Sequence, residues 1–395
     1  MRATGNRIAV DPVQRIDLPM DRMRWSVLVS AAVAACWILW RAAASGVPVH
    51  AANAVVVHDI RVVLAASDLD RLRANPRTDV DAVVTVDGHS LTGVTVHVKG
   101  STGSFRPVED RPGLTLRFDR SDSDQRGLGH RTLHLNNSVE DASLLQEQLG
   151  AALFRIAGVP APEVGHARVT LNGKSRGLYV WVAGLDPEFL KDGFGGTTAR
   201  SLGEDDRLPR LQEILTDADL NRRWLRLQDI LDIDRCVSFL AMEVILGHRD
   251  GYYLARNNFR LIEESTGGRL AFLPHGMDQL FGPADLLWMP VAGGPVARAL
   301  LETPEGRQLY ERRVWRLFQE SGDEAAWIHR LDVAGDRLIA GLNRGERKVV
   351  VPAIEEVRER MRRRYRNLAQ QLAGAKVGSV QGTHSNIPPN LSESK

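Results

Sequence analysis

Apolar and polar positions alternate over residues 55–64, 79–86, 91–98 and 164–171, the two-residue period of half-buried strands. Asp87-Gly88 separates one pair of runs. Asn172-Gly173 separates residues 164–171 from a further run at 177–182, and both dipeptides favour tight hairpins. Shorter apolar runs at 114–118 and 133–137 predict further strands. Helical spacing occurs at 67–74, with Ser67 as N-cap, and at 144–157, where Asp141 or Ser143 caps and Gly158 stops the helix before Pro160. Past residue 185 the pattern changes. A short helix is predicted at 186–194 and a mobile Gly-, Asp- and Arg-rich loop at 195–209. Helices follow at 211–226, 233–246, 294–299 and 303–320, then on to about 372. Two apolar runs interrupt them, 259–262 and 269–273, joined by a polar turn with Gly267-Gly268, and these read as a hairpin. The order predicts an α+β chain with a β-rich part at 55–185 and a helical part at 186–372.

The ends carry a different pattern. Residues 1–22 are polar without periodicity and read as disordered. Residues 25–40 hold no charge, with Arg22 and Arg24 before them and Arg41 after. That run is somewhat short of the roughly 20 residues of a full span. Three readings stay open: a signal anchor within 23–44, a signal peptide cleaved near Ala51-Ala52-Asn53-Ala54, or a buried helix. The arginines place the N-terminus in the cytoplasm, with the globular region exported and either anchored or secreted. Residues 373–395 are rich in Ser, Gly and Pro and read as a disordered tail.

Composition excludes little. A net charge of +2 is too small to argue for a nucleic-acid partner. The two cysteines, Cys36 and Cys236, define neither a disulfide framework nor a metal site. The chemistry concentrates around the 259–273 hairpin. Asp250 lies in the turn before it, Asn257-Asn258 opens its first strand, and Asp278 follows its second. A hairpin brings Asn257 and Asp278 together at its mouth. An acid, an amide and a second acid in one place suit phosphoryl transfer, in which one carboxylate takes the hydroxyl proton and the other groups hold Mg²⁺. His248 and His275 flank the carboxylates, but no third ligand stands at zinc spacing. Upstream, Lys99-Gly100-Ser101-Thr102-Gly103-Ser104 joins two strands. It is either a loop whose amides approach phosphate or an ordinary surface loop.

These pieces resemble the CotH family, regarded as atypical, kinase-like phosphotransferases. The resemblance rests on His248-Arg249-Asp250-Gly251-Tyr252, on Asn257-Asn258, on Pro274 through Gly282 and on Gly177-Leu178-Tyr179, and extends upstream to about residue 57. It implies a two-lobed, atypical protein-kinase-like fold. It implies ATP with Mg²⁺ or Mn²⁺ as cofactors and a protein Ser or Thr hydroxyl as acceptor. By the same resemblance Asp250 is the catalytic base, Asn257 and Asp278 are metal ligands, Arg111 is the phosphate contact and Glu147 its partner. Lys99, Gly100 and Gly103 belong to the nucleotide loop. The chain departs from the family pattern at Arg111, Ala183 and Gly276, where relatives often carry Lys, Glu and an acid. Two other functions remain open: an exported CotH-like domain acting in envelope assembly or adhesion, and a metal-dependent hydrolase using the same carboxylates.

Overall fold

Seven strands close on themselves. They are β1 (Val57–Val63), β2 (Val80–Val86), β3 (His89–Lys99), β4 (Gly113–Arg117), β5 (Thr132–Asn136), β6 (Val164–Leu171) and β7 (Lys174–Ala183). Around the barrel the order is β1-β2-β3-β4-β5-β7-β6. The alternation predicts the strands but not the closure. Closure comes from parallel pairing of β1 with β6, from Val57 opposite His166 to Val62 opposite Leu171, which leaves β1 no free edge. The interior is aliphatic and aromatic: Val62, Val84, Val96, Leu116, Leu133 and Tyr179 are fully buried. Each such side chain contributes on the order of 1.5–3 kcal/mol by leaving water. This computed structural model describes residues 57–101, 103–196, 198–265 and 267–382. The uncharged run at 25–40, the polar segment 1–22 and residues 383–395 lie outside the described residues.

Two short helices attach to the barrel. The first, α1 (Ala66–Ala74), begins one residue before expectation, with Ala65 rather than Ser67 as N-cap, because Asp68 and Leu69 N–H already donate to the Ala65 carbonyl. The second, α2 (Gln146–Ile156), follows β5 and packs between barrel and helices. Asp141 holds its start, accepting from Gln146 N at 2.9 Å and from the Ser143 hydroxyl.

The remainder is helical around a small sheet. Its elements are α3 (Pro187–Gly193), β8 (Ala199–Ser201), α4 (Pro209–Leu215), α5 (Leu220–Ile230), α6 (Ile233–Ile245), α7 (Tyr252–Ala255), β9 (Phe259–Glu264), β10 (Leu270–Pro274), α8 (Pro295–Glu302), α9 (Pro304–Glu320), α10 (Glu324–Ala340) and α11 (Arg344–Gly382). Three expectations are corrected here. The loop expected at 195–209 contains β8, which pairs with β9. The helix expected at 211–226 is two helices, because Asp219 caps the second by accepting from Arg222 N at 3.0 Å. The helix expected to end near 372 continues to Gly382. Buried Leu368 and Leu372 anchor it, and isolated glycines such as Gly374 cost about 1 kcal/mol each without ending a helix.

The two cores meet. The outer face of β6 and β7, through Val164, Val180 and Val182, packs into the helical core with α2 and α6. Ala183, where relatives often carry glutamate, is buried with the barrel interior and pairs with Leu133. Among the described residues no helix is long and apolar enough to cross a membrane.

Candidate active cleft

The floor of the cleft grows out of α6, whose residues from Cys236 to Ile245 are all buried. At its end Gly247 adopts φ +59, and a Cβ there would lie 3.0 Å from the Gly282 carbonyl, so the chain turns here only with glycine. Glu243, buried in the last turn of α6, accepts from Tyr252 N at 2.9 Å and Tyr253 N at 2.6 Å. A carboxylate at these amides starts α7 directly after Asp250. Past α7, β9 and β10 pair from Phe259 opposite Pro274 inward, and His275 N donates to the Asn258 carbonyl. The predicted hairpin mouth is therefore present.

At that mouth both asparagines grip Asp250. Its Oδ2 accepts from Asn257 Nδ2 at 2.9 Å and Asn258 Nδ2 at 2.8 Å, and Asn258 also donates to the Asp250 carbonyl at 3.0 Å. The sequence singled out Asn257, yet Asn258 is the one packed against the other strand. A Cβ on Gly276 would lie 2.4 Å from Asn258 Oδ1. An acid at Gly276 therefore has no room while Asn258 holds this position, which accounts for that departure from the family pattern.

The roof comes from the barrel. Across β3, β4 and β5, Lys99 pairs with Gly113, and His97, Thr115 and His134 form the next row. Lys99 Nζ donates to Asn136 Oδ1 at 2.6 Å. Asn137 Nδ2 donates to the Ser104 and Arg111 carbonyls, both at 2.9 Å, and so fixes the far end of the glycine loop. Roof and floor enclose a cleft of about 390 Å³ whose lining includes Lys99, Asn136, Asp250, Asn257, Asn258 and Asp278.

Not every expected site residue reaches it. Gly100 lines the cleft with Lys99, whereas Gly103 lies one step behind the lining, where a Cβ would come 3.3 Å from Oε1 of the lining residue Glu140. Arg111 is turned away. Its guanidinium donates to the Leu178 carbonyl and lies 5.3 Å from the centre of the Tyr179 ring. The expected placement of Arg111 at the phosphates is therefore not what the structure shows, and the bases that line the cleft are Lys99, Arg77 and Arg260. Glu147 does not pair with Arg111 either. Its Oε2 accepts from Met277 N at 2.9 Å, tying α2 to the residue before Asp278. Sequence reasoning missed Asn136 and Asn137 as site residues, although an Asn-Asn pair ending a strand was the available signal.

The charges are unbalanced as the cleft stands. Burial, with Asp141 and Glu140 nearby, pushes the Asp278 carboxyl up to about 6. Burial also raises Glu147, with Asp278 adding to it, and lowers Lys99, which Glu147 offsets only in part. His275 Nε2 accepts from Arg260 at 2.7 Å, and burial together with Arg260 lowers its pKa well below the usual range. Asp250 and Asp278 on the floor thus share the cleft with Lys99 and Arg77, while Arg260 is paired with Glu204 in the same lining. The donors at these two carboxylates are hard oxygens, which suits Mg²⁺ held by one or two carboxylates together with phosphate. Among the described residues no group of three or more His, Cys, Asp or Glu forms a protein-only metal cage.

Comparison with known proteins matches residues 96–203 to the CotH kinase protein family. The match runs from β3 to just past β8 and stops before Asp250. Over 82 residues the chain is 37% identical to the inner spore coat protein H-like protein of Bacillus subtilis (strain 168), covering 21% of this chain and 25% of that one. Over 62 residues it is 34% identical to inner spore coat protein H of the same organism, covering 16% and 17%. The chain thus spans a quarter or less of the length of these curated relatives. Among solved structures, Helicobacter pylori proinflammatory kinase CtkA overlaps with a TM-score of 0.34 at 8% identity, covering 68% of this chain and 95% of that one. The Shewanella oneidensis MR-1 HipA–HipB–operator DNA complex overlaps with a TM-score of 0.32 at 11% identity, covering 83% and 76%. Both scores are too low to carry an argument about fold.

Proposed function

With residues 96–203 carrying a CotH region, we propose that the chain is a kinase-like phosphotransferase that moves the γ-phosphoryl of ATP to a hydroxyl, of Ser or Thr on an envelope or exported protein. One observation carries this reading. Lys99 and its glycine loop face Asp250, Asn257, Asn258 and Asp278 across a single cleft.

The residues divide the task. Asp278 and the carbonyl oxygen of Asn257 or Asn258 would hold Mg²⁺, which when bound neutralises charge on the phosphates. Lys99 binds phosphate oxygens from the roof. Both asparagine amides bond Asp250 through Oδ2, so Oδ1 is the oxygen left to accept the acceptor hydroxyl proton. As that proton transfers to Asp250, the hydroxyl oxygen bonds to the γ-phosphorus and the bond to the ADP leaving group breaks. Holding the groups in place, with charge neutralised, supplies the catalysis.

A second reading has one specific support. With Gly276 where relatives often carry an acid, the site has fewer carboxylates for metal, which suits an exported binding module in envelope assembly. The two readings separate on Asp250→Asn. The enzyme reading expects phosphoryl transfer to fall by roughly 10²-fold or more with Mg²⁺-ATP binding nearly intact. Activity unchanged in Asp250→Asn contradicts it. Export is part of the same proposal and rests on the uncharged run at 25–40. A reporter fused after residue 60 should be active outside the cytoplasm, and cytoplasmic activity would remove both the anchored and the secreted versions.

A further inference from the structure

The turn that delivers the two asparagines is strained. Arg256 and Asn258 both sit at positive φ, +54 and +50, within three residues and with no glycine among them. Such backbone persists only where the surroundings over-determine it. The surroundings here converge on one carboxylate, Asp206, which is only 1% exposed. Its Oδ1 accepts from Arg256 Nε at 3.1 Å and from Nη2 at 2.5 Å. Its Oδ2 accepts from the Tyr252 hydroxyl at 2.9 Å, and that hydroxyl oxygen accepts from Val296 N at 3.1 Å. One buried group therefore grips α7 at both ends, through Tyr252 and Arg256, with Asn257 next in the chain.

Asp206 arrives there because its segment is docked. Leu202 N donates to the Leu261 carbonyl at 2.7 Å, and Leu261 N donates to the Gly203 carbonyl at 2.8 Å, extending the β8–β9 ladder toward Asp206. Gln212 Nε2 donates to the Asp206 carbonyl at 3.1 Å and fixes the other side. Asp206 lies beyond the CotH match, and its position in a polar loop gives no hint of burial.

We propose that Asp206 is a positioning residue for Asn257 and Asn258. Its hold on Arg256 keeps the turn in the conformation from which both amides reach Asp250 Oδ2. The inference rests on the cleft reading above but makes a separate structural claim. An anchor that only added stability would loosen the whole helical region when lost, whereas a positioning residue loosens residues 256–258 and acts through the asparagines.

The test uses the full chain with Asp206→Asn, alone and combined with Asn257→Ala and Asn258→Ala. Backbone hydrogen exchange at 256–258 should speed up while α6 and β10 keep their protection. Mn²⁺ affinity should fall roughly 10–100-fold in the otherwise unchanged protein, the usual scale for a group that orients a ligand. It should not fall further in the double-alanine background, because the effect passes through those two side chains. Unchanged exchange at 256–258, or an equal loss of Mn²⁺ affinity in both backgrounds, overturns the proposal. Where Asp206→Asn fails to fold, Arg256→Lys keeps the charge, loses the two-point grip and should give the same local pattern. If unaltered protein binds neither Mn²⁺ nor nucleotide, the phosphotransferase reading fails, and the exchange result still decides the role of Asp206.

Discussion

Leu116 inside the barrel and Glu243 beneath the hairpin are equally buried, at 0% and 1% exposure, for opposite reasons. Leu116 has no directional need, and the barrel core around it is valine, leucine and a few aromatics. Glu243 is buried in order to bond two particular amides. The pattern repeats across the floor. Asp206 holds Arg256 and Tyr252. Arg364 on α11 donates to the carbonyls of Val244 and Ile245 at the end of α6, and to those of Ala284 and Leu286 beyond the hairpin. Apolar packing fixes a volume, while buried ions with several hydrogen bonds fix a direction. The acid and amides of the cleft floor are oriented in this way, with Asp206, Glu243 and Arg364 the buried ions that set their direction.

The largest test sets the two regions side by side. Leu116→Ala should lower stability by about 2–5 kcal/mol in denaturant titration. Arg364→Ala, which leaves four carbonyls without this donor, should cost a comparable amount, at about 1–3 kcal/mol for each acceptor left buried and unsatisfied. Only Arg364→Ala should also depress phosphoryl transfer in the protein that remains folded. Equal loss of specific activity in both variants would erase the distinction between packed and directed regions.

Next in size is the roof. Lys99→Ala should weaken nucleotide binding roughly 10–100-fold, the scale of a charge-assisted hydrogen bond. Arg111→Ala should leave it unchanged, since that guanidinium is committed to Leu178 and Tyr179. Calorimetric titration of the two variants checks the assignment, and the reverse ranking would return the phosphate contact to Arg111.

The smallest effect is in pH. His166, on the barrel wall, is buried with Nε2 on the Leu144 carbonyl, and burial lowers its pKa. As pH falls below about 6.5 the unfolded chain takes this proton first, so the stability is present above that value and lost beneath it. His248, on the floor, is shifted the other way. Burial opposes its charge, but Glu243 at 3.4 Å, the Gly276 carbonyl and Glu147 together outweigh burial and raise the pKa. Its stability is present below about 6.5 and lost as pH rises through the raised value. Thermal melts from pH 5 to 8 should show His166→Gln reducing the acid loss and His248→Gln increasing it. The same sign for both would contradict the assignment.

The contrast also explains what could be read from the chain. Period-two alternation announced β1, β2, β3 and β6, because an aliphatic barrel writes its pattern into the sequence. The hairpin was legible from Gly267-Gly268 and the flanking runs, and it brought Asn257 and Asp278 to one mouth as expected. Barrel closure was not legible, since parallel pairing of β1 with β6 joins segments about 110 residues apart (Val57 opposite His166). Nor was the committed state of Arg111. A basic residue after a glycine loop looks alike whether it faces phosphate or, as here, a tyrosine ring. The buried anchors Asp206, Glu243 and Arg364 look like surface charges until tertiary structure removes their water.

In the proposed reaction this cleft binds a metal–nucleotide through the floor carboxylate and the roof lysine together. Isothermal titration of ATP into the full chain, with and without millimolar Mg²⁺ or Mn²⁺, tests it most directly, with Asp278→Asn beside it. Binding that requires the metal and is lost in Asp278→Asn is the predicted result. Absence of nucleotide binding by the unaltered protein under both metals, or binding unaffected by Asp278→Asn, would contradict the account.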